Sequence, residues 1–401
     1  MKSGLIRRAL GVAAAAVTAV VATTAQAQVP TDIAEGLKKI GQIVDPACTA
    51  KLYRPLMPKN DFNTYWAAGA PAATFTGQLY PGVTIARDQS FGPNAKDVLD
   101  IFTADGGGGN RPVFIYVAGG AGNKIEQQVR EGNAFYDNIG RWATKNGMVG
   151  VLIQRHPGSG NWDDGGRDIS VAVDWVKANI AKYRGNPNRM FIAAHSAGTG
   201  PLGQYVGHEK RWANGVAVKG AIYMSGNPVP SLGGGFGAPG PRGAGAPGGP
   251  PSGFGSGPAP GSACGLPPTS MTSTEGAISG PSGARDAAAP GGGRGRGAFT
   301  PPTPEQQAER DNLPGFKATT VKIILVRAEL DPGVMGDMLA SDKSLHDELC
   351  KLDGAKAKDS QGHCPAMLFA KGHSHMSEVF AFDTPDTTVS KPILEWIKSI
   401  K

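Results

Sequence analysis

Between Met190 and Gly200 the chain reads M-F-I-A-A-H-S-A-G-T-G. Four apolar residues (Phe191, Ile192, Ala193, Ala194) lead into a single Ser at position 196, and a helical pattern follows. A strand that turns sharply into a helix holds its apical residue in strained backbone geometry. The positions two before and two after that residue must then be small. Here they are Ala194 and Gly198, giving A-x-S-x-G, with one methyl more than a glycine at the first position. The pentapeptide alone also fits a strand-to-helix turn with a capping Ser, so the rest of the sequence has to choose between the readings.

The flanking chain alternates apolar runs with amphipathic stretches. Strands are expected over 83–87, 97–103, 112–117, 148–154, the run before Ser196, 216–224, 321–327 and 366–370. Helices are expected around 33–43, over 134–145, over 168–183 (apolar at Ile169, Val171, Val173, Val176 and Ile180), after the Ser196 turn, over 339–352 and over 388–400. Continuous apolar runs such as Pro112–Val117 suit strands buried on both faces. Strands alternating with helices predict an α/β fold with a mostly parallel sheet covered on both sides.

The first 27 residues read as a removable leader. Lys2, Arg7 and Arg8 make a basic start, Gly11–Val21 is apolar but short, and Ala25-Gln26-Ala27 has the small-x-small form of a cleavage site. Arg7-Arg8 also permits a twin-arginine route, and a retained anchor is the alternative to cleavage. Export to the periplasm or the medium is the expectation. Of the formal charge of +7, three positive charges lie in the leader, leaving +4 for residues 28–401. No basic block with interleaved aromatics occurs, which argues against nucleic acid as a partner. The four cysteines have no zinc or redox spacing. In an exported protein pairing is expected, Cys350 with Cys364 as the local choice, while Cys48 and Cys264 pair or stay free.

One stretch departs from the alternation. Residues 233–302 are Gly, Pro, Ala and Ser with few apolar residues, too few to offset the entropy of ordering, so disorder is expected there. The chain thus divides into a leader (1–27), a first part of one domain (28–232), an insertion (233–302) and the second part of that domain (303–401). The insertion reads as a spacer or surface loop, or as a partial lid.

A Ser hydroxyl becomes a nucleophile only when a base takes its proton and an acid orients that base. Asp331 in V-R-A-E-L-D-P follows an apolar strand and stands where carboxyl-end groups meet ligands in open α/β sheets. The base is expected in the last strand-to-helix loop, Lys371-Gly372-His373-Ser374-His375-Met376. His375 is the first candidate there and His373 the second. His195 is expected to face away from the nucleophile beside it. Donors for a developing oxyanion would be the Ala197 N–H and the Gly-rich run after the third strand, with Gly119 and Gly120.

These stretches together resemble the esterase and lipase branch of the α/β-hydrolases, near the hormone-sensitive-lipase-like and carboxylesterase-like enzymes. They are D-V-L-D-I-F (97–102), P-V-F-I-Y-V-A-G-G-A-G (112–122), R-D-I-S-V-A-V-D-W-V (167–176), N-R-M-F-I-A-A-H-S-A-G (188–198), E-L-D-P and G-H-S-H. The resemblance implies an eight-stranded core, no cofactor or metal, and a two-step acyl-enzyme mechanism. By position it carries Ser196, Asp331 and His375 as the triad, with Gly119, Gly120 and Ala197 around the oxyanion. Where the family has H-G-G-G, this chain has Ala118-Gly119-Gly120-Ala121. The functional expectation is an exported serine ester hydrolase acting on a small-molecule or polymer ester. An exported peptidase of prolyl-oligopeptidase type, or a non-catalytic binding protein on the same fold, are the alternatives.

Overall fold

The computed structural model describes residues 29–57, 80–119, 135–154, 164–226, 319–331 and 366–401. Two helices come first, α1 (Thr31–Ile40) and α2 (Pro46–Tyr53). Ile33, Leu37 and Ile40, spaced to share one helical face, are buried. Gly41, with φ 78°, ends α1 in a conformation that a side chain would disfavour. The Asp45 carboxylate accepts from the Cys48 N–H at 2.9 Å and Pro46 occupies the first turn, which sets the start of α2.

The alternating part follows as β1 (Val83–Ser90), β2 (Val98–Ala104), β3 (Arg111–Val117), α3 (Asp137–Lys145), β4 (Val149–Ile153) and α4 (Asp164–Asn179). Then come β5 (Gly185–His195), α5 (Thr199–Gly207), β6 (Gly220–Met224), β7 (Lys322–Leu330), β8 (Ala366–Ser374), α6 (Ser377–Phe380) and α7 (Ser390–Ser399). All eight strands form one sheet in the order β1-β2-β4-β3-β5-β6-β7-β8. The β1–β2 and β2–β4 pairs are antiparallel and every other pair is parallel. This is the eight-stranded, mostly parallel α/β sheet expected from the sequence.

Side chains alternate across the strands, so the sheet has two apolar faces. Phe114, Tyr116, Phe191, Ala193, Ile222 and Ile324 pack with the helices α1, α2, α3, α6 and α7. Val113, Ile115, Ile192, Ala194, Tyr223 and Leu325 pack with α4 and α5. On α4, Ile169, Val173, Val176 and the following Ile180 are fully buried, whereas Val171 is 42% exposed. Val171 lies off the apolar stripe that those four residues define, and the sequence-based grouping with them was mistaken.

Several boundaries differ from expectation. Helix α2 and the short α6 were not anticipated, β5 starts six residues before the apolar run, and β8 continues through His373 to Ser374. The expected helix over 339–352, the leader, the 233–302 insertion and Cys264, Cys350 and Cys364 lie outside the described residues. Among the described residues no helix is long and apolar enough to cross a membrane.

Helix α3 sits unusually close to the sheet. A β-carbon on Gly150 would stand 2.8 Å from the Cα and carbonyl oxygen of Gly140, with backbone on both sides of the contact. Gly150→Val is therefore expected to push α3 off β4 and to lower stability by about 1–3 kcal/mol or more, read from urea denaturation.

Candidate active site

Five consecutive strand ends at the carboxyl edge of the parallel sheet bring together residues far apart in sequence. Ala118 and Gly119 follow β3, Ser196 follows β5, Ser225 follows β6, Asp331 follows β7 and His375 follows β8. Ser196 has φ 51°, a left-handed conformation rare for a non-glycine residue, and sits at the head of a short 3-10 turn leading into α5. Its carbonyl accepts from the Thr199 hydroxyl at 2.7 Å, which helps hold the turn. The small neighbours are required by contact. A β-carbon on Gly198 would lie 2.9 Å from the Ala118 carbonyl oxygen. One on Gly119 would lie 2.9 Å from the His195 carbonyl oxygen and 3.0 Å from the Ser196 β-carbon. Ala194 is fully buried, and its one methyl packs into the face covered by α4 and α5.

The Ser196 hydroxyl lies 2.8 Å from His375 Nε2, and His375 Nδ1 lies 2.9 Å from Asp331 Oδ1. A carboxylate only accepts, so Nδ1 carries the proton and Nε2 is the lone pair facing the Ser hydroxyl. Ser196 is half-buried and Ala197 exposed, while His375 and Asp331 are buried. Of the six residues expected at the site, the structure brings Ser196, Asp331 and His375 into one hydrogen-bonded chain. Gly119 and Ala197 flank it; Gly120 lies outside the described residues.

The carboxylate is held by groups that sequence reasoning did not identify. Ser225, with φ 41°, donates its hydroxyl to Asp331 Oδ2 at 2.7 Å. Arg327, only 3% exposed, reaches the same oxygen at 3.2 Å and donates to the Gly226 carbonyl at 3.0 Å. Burial pushes the Asp331 carboxyl up, but the hydrogen bond and charge of His375, the Arg327 guanidinium and the Ser225 hydroxyl outweigh it. Its pKa is held below the ordinary carboxylate range.

The two other histidines near the site have separate surroundings. His373, the second candidate for the base, is fully buried. It hydrogen-bonds Ser377 Oγ at 2.9 Å and Thr388 Oγ1 at 2.5 Å, and its Nε2 is 3.7 Å from Asp386 Oδ2. Tyr53 of α2 donates to that same Asp386 oxygen at 2.8 Å. His195 does not face away from the site as expected. It is buried, its ring centre is 4.7 Å from that of His375, and its Nε2 lies 2.8 Å from the His375 carbonyl oxygen. Strand alternation is the signal that could have found it. His195 shares a face with Phe191 and Ala193, and that face is covered by the elements around the base loop.

Both buried histidines are hard to protonate. The His195 pKa is lowered to about 3, first by burial and then by His375. That of His373 is lowered by burial against the pull of Asp386. Unfolded, both would titrate near about 6.5, so below that pH the unfolded chain binds more protons than the folded one. Their contribution to stability is present above the unfolded value and is lost as pH falls below it. Urea midpoints are expected to fall between about pH 7 and about pH 5, and His195→Gln, which removes one titrating group, to flatten that fall.

Residues 98–232 match the model of the Carboxylesterase family. Among curated proteins, human cocaine esterase is 31% identical over 144 residues, 31% of this chain and 24% of that protein. A probable isoprenylcysteine alpha-carbonyl methylesterase of Arabidopsis thaliana is 25% identical over 122 residues, 28% of this chain and 23% of that protein. The chain thus spans about a quarter of the length of the curated relatives it matches. Among solved structures, a thermostable esterase from Pseudomonas putida aligns at a TM-score of 0.47 with 12% identity, covering 93% of this chain and 98% of that one. Residues 98–232 of this chain thus carry the carboxylesterase pattern, set within one eight-stranded, mostly parallel α/β sheet.

Proposed function

We propose that this protein is an exported serine hydrolase that cleaves carboxylic esters through a Ser196–His375–Asp331 triad. The observation that carries the reading is the unbroken chain from the Ser196 hydroxyl through both ring nitrogens of His375 to Asp331, on the strained turn after β5. The carboxylesterase pattern over residues 98–232 supports an ester as the substrate, either a small molecule or a polymer.

In this reading His375 Nε2 takes the Ser196 proton as Oγ bonds to the ester carbonyl carbon. Asp331, kept ionised by Arg327 and Ser225, stabilises the imidazolium that forms. The carbonyl oxygen gains negative charge and is met by the N–H groups of Ala197 and of the Gly119–Gly120 run. The imidazolium then protonates the departing alkoxide as the carbonyl re-forms, leaving an acyl-Ser196. Water, deprotonated by His375, repeats the sequence in reverse and frees the acid.

Hydrolysis of 4-nitrophenyl acetate, butyrate and octanoate by residues 28–401, beside Ser196→Ala, tests the reading. Turnover is expected with the wild type and should drop by roughly 10⁴-fold or more in the variant, as for loss of a triad member. Activity that survives the substitution, or cleavage of dipeptidyl amides in preference to esters, would overturn it.

Export, the division of the domain by the 233–302 insertion and a Cys350–Cys364 bridge belong to the same proposal. They rest on the A-x-A site after the apolar run, the Gly/Pro composition and the cysteine spacing. Expressed with its leader in a bacterial host, the chain should yield a mature form that begins at Gln28. Intact mass and amino-terminal sequencing of the periplasmic fraction read this directly; a chain retaining Met1 in the membrane fraction would contradict it.

A further inference from the structure

His375 is fixed at both ring nitrogens, yet its main chain lies in the short connection between β8 and α6. A ring held at its tip still moves if its backbone moves, and proton transfer tolerates little displacement. The group that meets that backbone is His195. Its φ and ψ of −117° and 143° are extended, so the side chain leaves β5 on the face opposite Ala194 and passes beneath the Ser196 turn. There Nε2 lies 2.8 Å from the His375 carbonyl oxygen. A carbonyl only accepts, so Nε2 carries the proton, and a depressed pKa keeps the ring neutral with Nδ1 unprotonated. Nδ1 faces the oxyanion side, 3.1 Å from where a Gly119 β-carbon would stand. Glu378, one turn beyond the base on α6, has a carboxylate oxygen 3.5 Å from the same Nε2.

We propose that His195 is a positioning residue for the hydrolysis: its Nε2–H, donated to the main-chain carbonyl of His375, sets the depth at which the base stands against Ser196. One residue thereby spans the turn that carries the nucleophile, the loop that carries the base and the edge of the oxyanion run. An ordinary core histidine in the same place would serve packing alone, and its replacement would act on stability without distinguishing side chains by their reach.

The inference rests on the triad reading above, and two readouts separate them. The proteins are the full chain as wild type, His195→Gln, His195→Asn and His195→Leu. The Gln amide N–H reaches about as far as Nε2; the Asn amide stops near the place of Nδ1; Leu has no donor. With 4-nitrophenyl butyrate, kcat is expected to fall roughly 10- to 100-fold in the Asn and Leu variants, with KM within about twofold of wild type, and to be largely restored in Gln. The second readout needs no turnover. The Nδ1 proton of His375 held by Asp331 should give a far-downfield proton resonance, assigned by its loss in Asp331→Asn. That signal should be present in wild type and Gln, and broadened or lost in Asn and Leu. If Leu fails to fold, the Gln and Asn pair carries the comparison. Equal kcat and an unchanged resonance in Asn would overturn the proposal, as would equal losses in Gln and Asn. A wild type inert toward esters whose resonance still tracks the reach of residue 195 would remove the esterase reading and leave the positioning role.

Discussion

A buried carboxylate is costly unless it is paired and hydrogen-bonded, and the Asp331 carboxylate governs much of what surrounds it. Oδ1 takes the proton of His375 Nδ1, while Oδ2 takes the Ser225 hydroxyl and one arm of Arg327. Each partner comes from a different place: the loop after β8, the end of β6 and the interior of β7. Satisfying one charge therefore draws three segments at the carboxyl edge of the sheet to a common point. The unusual backbone of Ser225 and the burial of a guanidinium within an apolar strand follow from that demand.

Ser196 and Asp331, the proposed nucleophile and acid, stood out in the sequence because their constraints are local. Ser196 announces itself by small residues at fixed offsets, and Asp331 by standing directly after an apolar strand. The groups that hold Asp331 were not legible because their contacts depend on strand pairing. Ser225 matters only because β6 lies beside β7, with Met224 opposite Val326. Arg327 did leave a trace, a charge inside an otherwise apolar run, and such a residue seldom stays buried without a partner.

The histidines show where periodicity stops being useful. In a regular strand, residues two apart share a face. His373 and His375 nevertheless diverge, because β8 ends at Ser374 and His375 already belongs to the turn into α6. His373 then joins Ser377, Thr388 and Asp386, where Tyr53 of α2 also ends, and so braces the loop from behind. His195 was misjudged for a related reason. The turn at Ser196 reverses the chain, but the residue before it still belongs to the strand and obeys the alternation of the strand. The fold class needed none of this, since runs such as Pro112–Val117 and the Ile169/Val173/Val176 stripe fix it directly.

The residues of the site meet across long stretches of chain: 179 residues separate Ser196 from His375, and 106 separate Ser225 from Asp331. Such closures are entropically slow and are reached only when most of the sheet exists. The Ser196 turn can form early, from neighbours within one strand and helix, but His375 arrives with β8, at the far edge of the sheet. Until β8 docks against β7, the Ser196 turn therefore stands without the imidazole that meets its hydroxyl.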